Sequence, residues 1–187
     1  MSTLRHVLLL LVVLLPLAAC DRGQTLPSTG SDTANADDTL VRRGEYLVRT
    51  SGCNDCHTRG YAEQQGTVPM QHWLTGSPLG YYGPWGTTYA TNLRLRLHQM
   101  DEAQWLHYSA TLRTRPMMPD FALRSMSEDD RRAIHRFVRS LGPAGNPAPA
   151  ALPPGQLPPA PYLALVLPAP AAATPGAPAP SAAANGN

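Results

Sequence analysis

The residues of this chain whose types and spacing could do chemistry are Cys53-Asn54-Asp55-Cys56-His57. Two cysteines separated by two residues, with a histidine directly after, form the pattern by which a haem is attached covalently. The spacing has a chemical reason. Each thiolate adds to one vinyl group of the porphyrin, and two intervening residues let one turn of chain span both vinyls. The next residue then lies under the iron, where the imidazole of His57 binds axially. Two other chemistries compete for these residues. A zinc site needs further N or S ligands, and the sequence has no second cysteine pair. A thioredoxin-like dithiol belongs in a βαβ context and gives His57 no part. The pattern therefore predicts one haem c, held by Cys53 and Cys56 and ligated by His57.

The chain has 187 residues, a formal net charge of +2 and three cysteines, Cys20, Cys53 and Cys56. All 15 basic residues are arginine, scattered rather than clustered. Without a basic stripe there is no field to attract nucleic acid, which is not an expected partner.

Arg5 and His6 precede an apolar run, Val7 to Leu15, that is too short for a membrane span. Residues 1–19 read as a secretory signal. Leu17-Ala18-Ala19-Cys20 resembles the lipobox of bacterial lipoproteins, which implies cleavage before Cys20 and acylation of its sulfur and amino group. The ordinary alternative is plain cleavage that leaves Cys20 a free thiol, an awkward group in an oxidising compartment. Asp21 resembles the signal that keeps some lipoproteins in the inner membrane. With Cys20 lipidated and the other cysteines on haem, none remains for a disulfide.

Residues 20–37 read as a flexible tether rich in Gly, Ser, Thr and Asp. A compact domain is expected over 38–142. Asp38 can cap a first helix reaching Thr50, with Leu40, Leu47 and Val48 at helical spacing. Gly44 falls inside it, where glycine is about 1 kcal/mol worse than alanine, so another backbone is expected close by. The last helix is the expected partner. Ser127 and Asp130 begin it in a capping-box-like arrangement, Ile134, Phe137, Val138 and Leu141 form its stripe, and Gly142-Pro143 ends it. A third helix runs from Asp101 to about Leu112. Between the cysteines and that helix the density of glycine and proline argues for loops, whose aromatics (Trp73, Tyr81, Tyr82, Trp85, Tyr89) wall a macrocycle or line a substrate pocket. Residues 143–187 are proline- and alanine-rich without a charged side chain, and read as a largely disordered tail. Its one apolar run, Tyr162 to Leu167, could dock on the domain or remain a patch in that tail.

The sixth iron ligand has several candidates: Met70, Met100, Met117, Met118, Met126, His72, His98, His107 and His135. Met118-Pro119 stands out because proline stiffens the backbone after a soft thioether, and Met117 is its competitor. At this point the chain resembles a class I-type monohaem cytochrome c, similar to the domains of cytochrome subunits in bacterial periplasmic dehydrogenases. The matching stretches are Gly44-Glu-Tyr-Leu47, the Cys53–His57 motif, Tyr89-Ala-Thr-Asn92, Met118-Pro119, Ser127-Glu-Asp-Asp130 and Phe137-Val-Arg-Ser-Leu141. The resemblance implies an all-α, cytochrome c-type fold around one covalent haem and contact between the first and last helices near Gly44 and Phe137. It also implies Met118 on the iron and the carbonyl of Pro69 accepting the His57 imidazole hydrogen bond.

These readings predict an electron carrier rather than an enzyme, tethered by lipid to the periplasmic face of a membrane, its expected partners a dehydrogenase or a terminal oxidase. The alternatives are a tightly bound subunit of such a complex, a haem-based sensor, or a peroxidase, the last two needing an open iron. Arg59, Arg94, Arg96, Arg113 and Arg115 are candidates to neutralise haem propionates or steer a partner, against a plain reading as solvated charges.

Overall fold

A computed structural model describes residues 29–166, with side chains described from residue 35 onward. The signal 1–19, Cys20 and the first part of the tether lie outside the described residues, as does the tail beyond residue 166.

The frame is a helix crossing. Helix α1 (Thr29–Thr50) meets α6 (Glu128–Ser140) where glycine removes the obstacle: a Cβ on Gly44 would overlap the Ala133 carbonyl oxygen and come within 2.6 Å of the Phe137 Cβ. Around this contact Val48, Leu74, Leu97, Ile134, Phe137 and Val138 are buried. Trp73 lies among them, edge-on to Phe137 at 6.3 Å and to Tyr61 at 5.9 Å. The crossing follows the sequence expectation, but α1 begins at Thr29, and Asp38 is an interior residue rather than a cap. One contact remote in sequence and one local one hold the helix within the expected tether. Asp37 pairs with Arg136 of α6 at 3.3 Å, and the Thr39 hydroxyl donates to the Asn35 carbonyl at 2.8 Å.

The remaining helices are α2 (Cys53–His57), α3 (Leu93–His98), α4 (Glu102–Thr111) and α5 (Asp120–Ser125). Helix α4 starts on a full capping box. The Gln104 N–H donates to the Asp101 carboxylate at 2.8 Å, and the Asp101 N–H donates to the Gln104 side chain at 2.9 Å. Ser127 caps α6 by accepting the Asp130 N–H at 3.1 Å. The Asp130 carboxylate takes the Arg43 guanidinium at 2.9 Å and ties the two crossing helices together.

The all-α expectation needs correction. The architecture is mostly helical, with a three-stranded mixed sheet in the order β2-β1-β3. Strands β1 (Gly80–Gly83) and β2 (Gly86–Tyr89) form a hairpin in which Tyr81 faces Thr88 and Tyr82 faces Thr87. Tyrosine and threonine are good strand formers, but the glycines and Pro84 around them read as loop. The glycines instead mark tight places: a Cβ at Gly83 would sit 2.6 Å from the Trp85 ring.

Strand β3 (Tyr162–Ala164) pairs parallel to β1 and comes from the segment expected to be disordered. Over 143–166 that expectation gives way to a strap held through its backbone. Leu152 and Thr87 exchange two backbone hydrogen bonds, at 3.0 and 3.1 Å, and the Leu165 N–H donates to the Tyr82 carbonyl at 2.8 Å. Proline removes donors but leaves every carbonyl free, so such a chain can be bound by donors elsewhere. Within the apolar run Tyr162 packs near Tyr82, ring centroids 6.2 Å apart, whereas Leu163 and Val166 are exposed. No helix among the described residues is long and apolar enough to cross a membrane.

Two expectations follow from the helix crossing. Gly44→Ala gains helix propensity yet drives a methyl into the Ala133 peptide, so it should lower stability by about 2 kcal/mol in urea unfolding; an unchanged or raised midpoint would refute the close contact. His135 is buried on α6, and burial holds its pKa below the ordinary 6.5. The unfolded chain then takes up a proton that the folded chain refuses, so stability is level above that value and falls as pH drops below it. The urea midpoint should fall between pH 7.5 and 5.5, a drop that His135→Gln makes smaller.

Candidate cofactor-attachment site

Gly52 takes a left-handed conformation (φ 73°) that turns the chain out of α1 into the single turn of α2. One turn places Cys53 and Cys56 on the same side. Both thiols are free and half-buried. Asn54 between them is fully buried. Its Oδ1 accepts from the Thr58 hydroxyl at 2.7 Å, and Thr58 Oγ1 in turn accepts the Leu74 N–H at 2.8 Å. One variable residue of the motif is therefore its anchor to the core, while Asp55 is exposed.

His57 is buried, and its Nδ1 lies 2.7 Å from the Thr91 carbonyl oxygen. A carbonyl only accepts, so Nδ1 carries the proton and Nε2 keeps its lone pair. Burial pushes the imidazole pKa below its ordinary value, against the opposing pull of the Thr91 carbonyl, which keeps the ring neutral at pH 7. The acceptor is not Pro69, as the resemblance implied: the Pro69 carbonyl takes the His72 N–H at 2.9 Å in a short 3-10 turn. Thr91 is brought to His57 through Gly76, whose N–H donates to the His57 carbonyl at 2.8 Å. Gly76 has φ 83°, and a Cβ there would come within 2.9 Å of the Asn92 nitrogen and 3.0 Å of the Ala90 oxygen.

The hairpin joins this half of the site to the methionine loop. The Tyr81 hydroxyl donates to Cys56 Sγ at 3.6 Å. Across the strands, its partner Thr88 donates to the Pro116 carbonyl at 2.7 Å, directly before Met117 and Met118. Those two methionines are 46% and 38% exposed, so burial does not choose between them. Their loop is closed from its far side by Asp120, which accepts the Thr114 N–H at 2.5 Å and pairs with Arg124. These partners hold the Asp120 carboxyl below its usual pKa.

Other sequence candidates go elsewhere. His135 stacks on Trp105 and faces the Met100 carbonyl. His98 is engaged by the Arg94 carbonyl, and Trp73 donates its indole N–H to Val68 within the core. Arg94 is buried, with its guanidinium on the carbonyls of Gln71, Leu141 and Gly142. Arg96 lies over the Tyr108 ring. Arg59 is exposed and lines a cleft beside Cys56 together with Glu63, Tyr81 and Pro161. Asn54, Thr58 and Thr91 are the site residues that sequence reasoning missed, whereas Tyr81, expected only as an aromatic wall, meets Cys56 through its hydroxyl. Only Asn54 and Thr58 left a trace, the four-residue spacing of a helical hydrogen-bonding pair.

Compared with protein-family models, with curated proteins and with solved structures, the chain matches none.

The donor set fits the group that the attachment pattern implies. It holds two unpaired thiols one helical turn apart, a neutral imidazole with a free Nε2, and thioethers on a loop tied to the same hairpin. Burial pushes the Cys53 thiol up to about 11 from 9.0, so it is about a hundredfold poorer in thiolate at neutral pH. In the folded chain without a group on its sulfurs, iodoacetamide should alkylate Cys53 far more slowly than after unfolding in urea. Equal rates in both states would place the thiol in solvent.

Proposed function

We propose that the chain is a periplasmic, lipid-tethered electron carrier of the class I cytochrome c type, with one haem c attached through Cys53 and Cys56. The observation that carries this reading is the pinned, neutral imidazole of His57 directly after two unpaired thiols. Haem, when bound, supplies a one-electron ferric/ferrous couple. The protein's own groups then have limited tasks. His57 Nε2 is the nitrogen offered to the metal, and the Thr91 carbonyl fixes the ring's tautomer and plane and raises its basicity. Met118, with Met117 as the alternative, offers a soft neutral sulfur that favours the reduced state and raises the potential. Asn54 and Thr58 hold the attachment turn against Leu74, so little has to move when charge changes.

In this reading Cys20 carries the lipid and the domain works at a membrane surface, where confinement raises its effective concentration near a dehydrogenase or terminal oxidase without a tight complex. Such partners meet through small interfaces.

The test is the optical spectrum of the purified protein in both oxidation states. A weak ferric band at about 695 nm marks sulfur ligation to haem iron; it should be present in the wild type and lost in Met118→Ala. Replacing Cys53 and Cys56 by alanine should leave any haem extractable by acidified solvent. Survival of the band in Met118→Ala moves the ligand to Met117. A wild type without covalently retained haem would sink the proposal, and one whose ferrous form readily binds carbon monoxide would make the site open, as in a sensor or enzyme.

A further inference from the structure

The chain after α6 crosses the segments that support the site. Asn92, next to the residue whose carbonyl holds His57, donates through Nδ2 to the Ala144 and Asn146 carbonyls at 2.8 and 3.1 Å. Gly80, next to Tyr81, donates its N–H to the Pro161 carbonyl at 3.0 Å. Arg115 makes the third contact, on the loop that carries the methionines. Its Nη1 donates to the Trp85 carbonyl of the hairpin at 2.8 Å and to the Leu152 carbonyl of the strap at 3.1 Å. The approach there is close: a Cβ at Gly86 would overlap the Leu152 oxygen and lie 2.7 Å from the Pro153 carbonyl carbon.

Met117 and Met118 are exposed, so side-chain packing does not fix them. Methionine has three rotatable bonds and adapts easily to its surroundings. A sulfur on such a side chain stays on one target only if the backbone beneath it is held. Thr114 ties the loop to α5 through Asp120, and the Pro116 carbonyl is held by Thr88. Arg115 alone among these ties binds hairpin and strap at once. It is itself exposed, so its charge is solvated and its contribution is geometric.

We propose that Arg115 is a positioning residue for the methionine ligand, its guanidinium clamped between the Trp85 and Leu152 carbonyls so that the strap 143–166 keeps the Met117–Met118 loop in place over the site. The proposal rests on the haem–methionine reading above. It gives the proline-rich segment a task at the site that the cytochrome resemblance, which stops at Gly142, does not supply.

The experiment uses the full-length, haem-loaded protein and follows the band at about 695 nm as pH is raised, since alkaline conditions displace a weakly held sulfur. Arg115→Ala should lower the midpoint of band loss by about one pH unit, a tenfold weaker hold on the sulfur. It should lower the reduction potential in step while moving the urea midpoint little. Arg115→Lys keeps a donor of similar reach and should recover more than half of the shift. Leu152→Pro deletes the N–H that Thr87 accepts and should move the band the same way. The double variant should move it no further than the larger single change, because both act through one clamp. Ser127→Ala removes the cap of α6 without touching Arg115, the hairpin or the strap, and should leave the band's midpoint where it was. An Arg115→Ala midpoint equal to wild type overturns the proposal, as does an equal shift in Ser127→Ala, which would make the effect one of general stability. A wild type without the band at any pH overturns the methionine reading, and this proposal with it.

Discussion

No side chain fits at Gly76, and the space left by that absence is where three distant segments of chain meet. The peptide of Gly76 donates to the His57 carbonyl at 2.8 Å, while the backbone of Ala90 to Asn92 passes within what would be contact distance of a Cβ. Only this approach puts the Thr91 carbonyl on the imidazole. The same region closes from the other side through Leu74, whose N–H reaches Thr58 and whose carbonyl accepts the Leu93 N–H at 2.9 Å. The buried Thr58 hydroxyl is engaged both ways, by Leu74 and by Asn54 Oδ1, although Asn54 Nδ2 has no partner, and loss of Thr58 would leave further groups unsatisfied in a low-dielectric setting. The orientation of His57 is thus a property of a set of linked hydrogen bonds rather than of a single bond.

The parts legible in the sequence are those written in side-chain chemistry at short range. The cysteine–histidine turn, the cap at Ser127 and the glycine at the helix crossing each involve a residue type with one dominant physical use. The parts that escaped involve backbone. Thr91 was missed because its contribution is a carbonyl oxygen, which every residue has; Pro69 was preferred because proline is visible. The hairpin was missed because Gly80, Gly83 and Gly86 look like loop punctuation, although they mark close approaches to Tyr162, Trp85 and Leu152. That α1 continues through Asp38 escaped because Asp37 is engaged by Arg136, a partner remote in sequence. The strap lacks any periodicity, since it docks by its carbonyls and by a parallel pairing that leaves Leu163 facing solvent.

The absence of lysine gains a meaning from this. Several arginines are fastened to main-chain oxygens. Arg94 gathers two carbonyls at the end of α6 and that of Gln71, Arg124 takes that of Leu112 at 2.7 Å, and Arg131 takes that of Met126 at 2.5 Å. A planar fork with five donors can satisfy several carbonyls in a fixed geometry, which a single ammonium does less well. Much of the positive charge in the chain is therefore committed to holding loops and helix ends. Among the described residues, Arg59 is exposed at the cleft and Arg113 reaches only the carbonyls of its own neighbours, so both keep their charge open to solvent.

The parallel pairing of β1 with β3 also orders events in time. Its two strands are separated by most of the domain, and contacts between residues so distant along the chain form late because the intervening loop must first be closed. Residues 162–164 are also synthesised long after Cys53 and Cys56. A newly made chain consequently presents the open edge of β1, with Tyr81 on it, to its surroundings before the strand that pairs with that edge exists. Pro161 takes its place beside Cys56 only after that interval, so the wall of the cleft next to the thiol is the last part of it to be built.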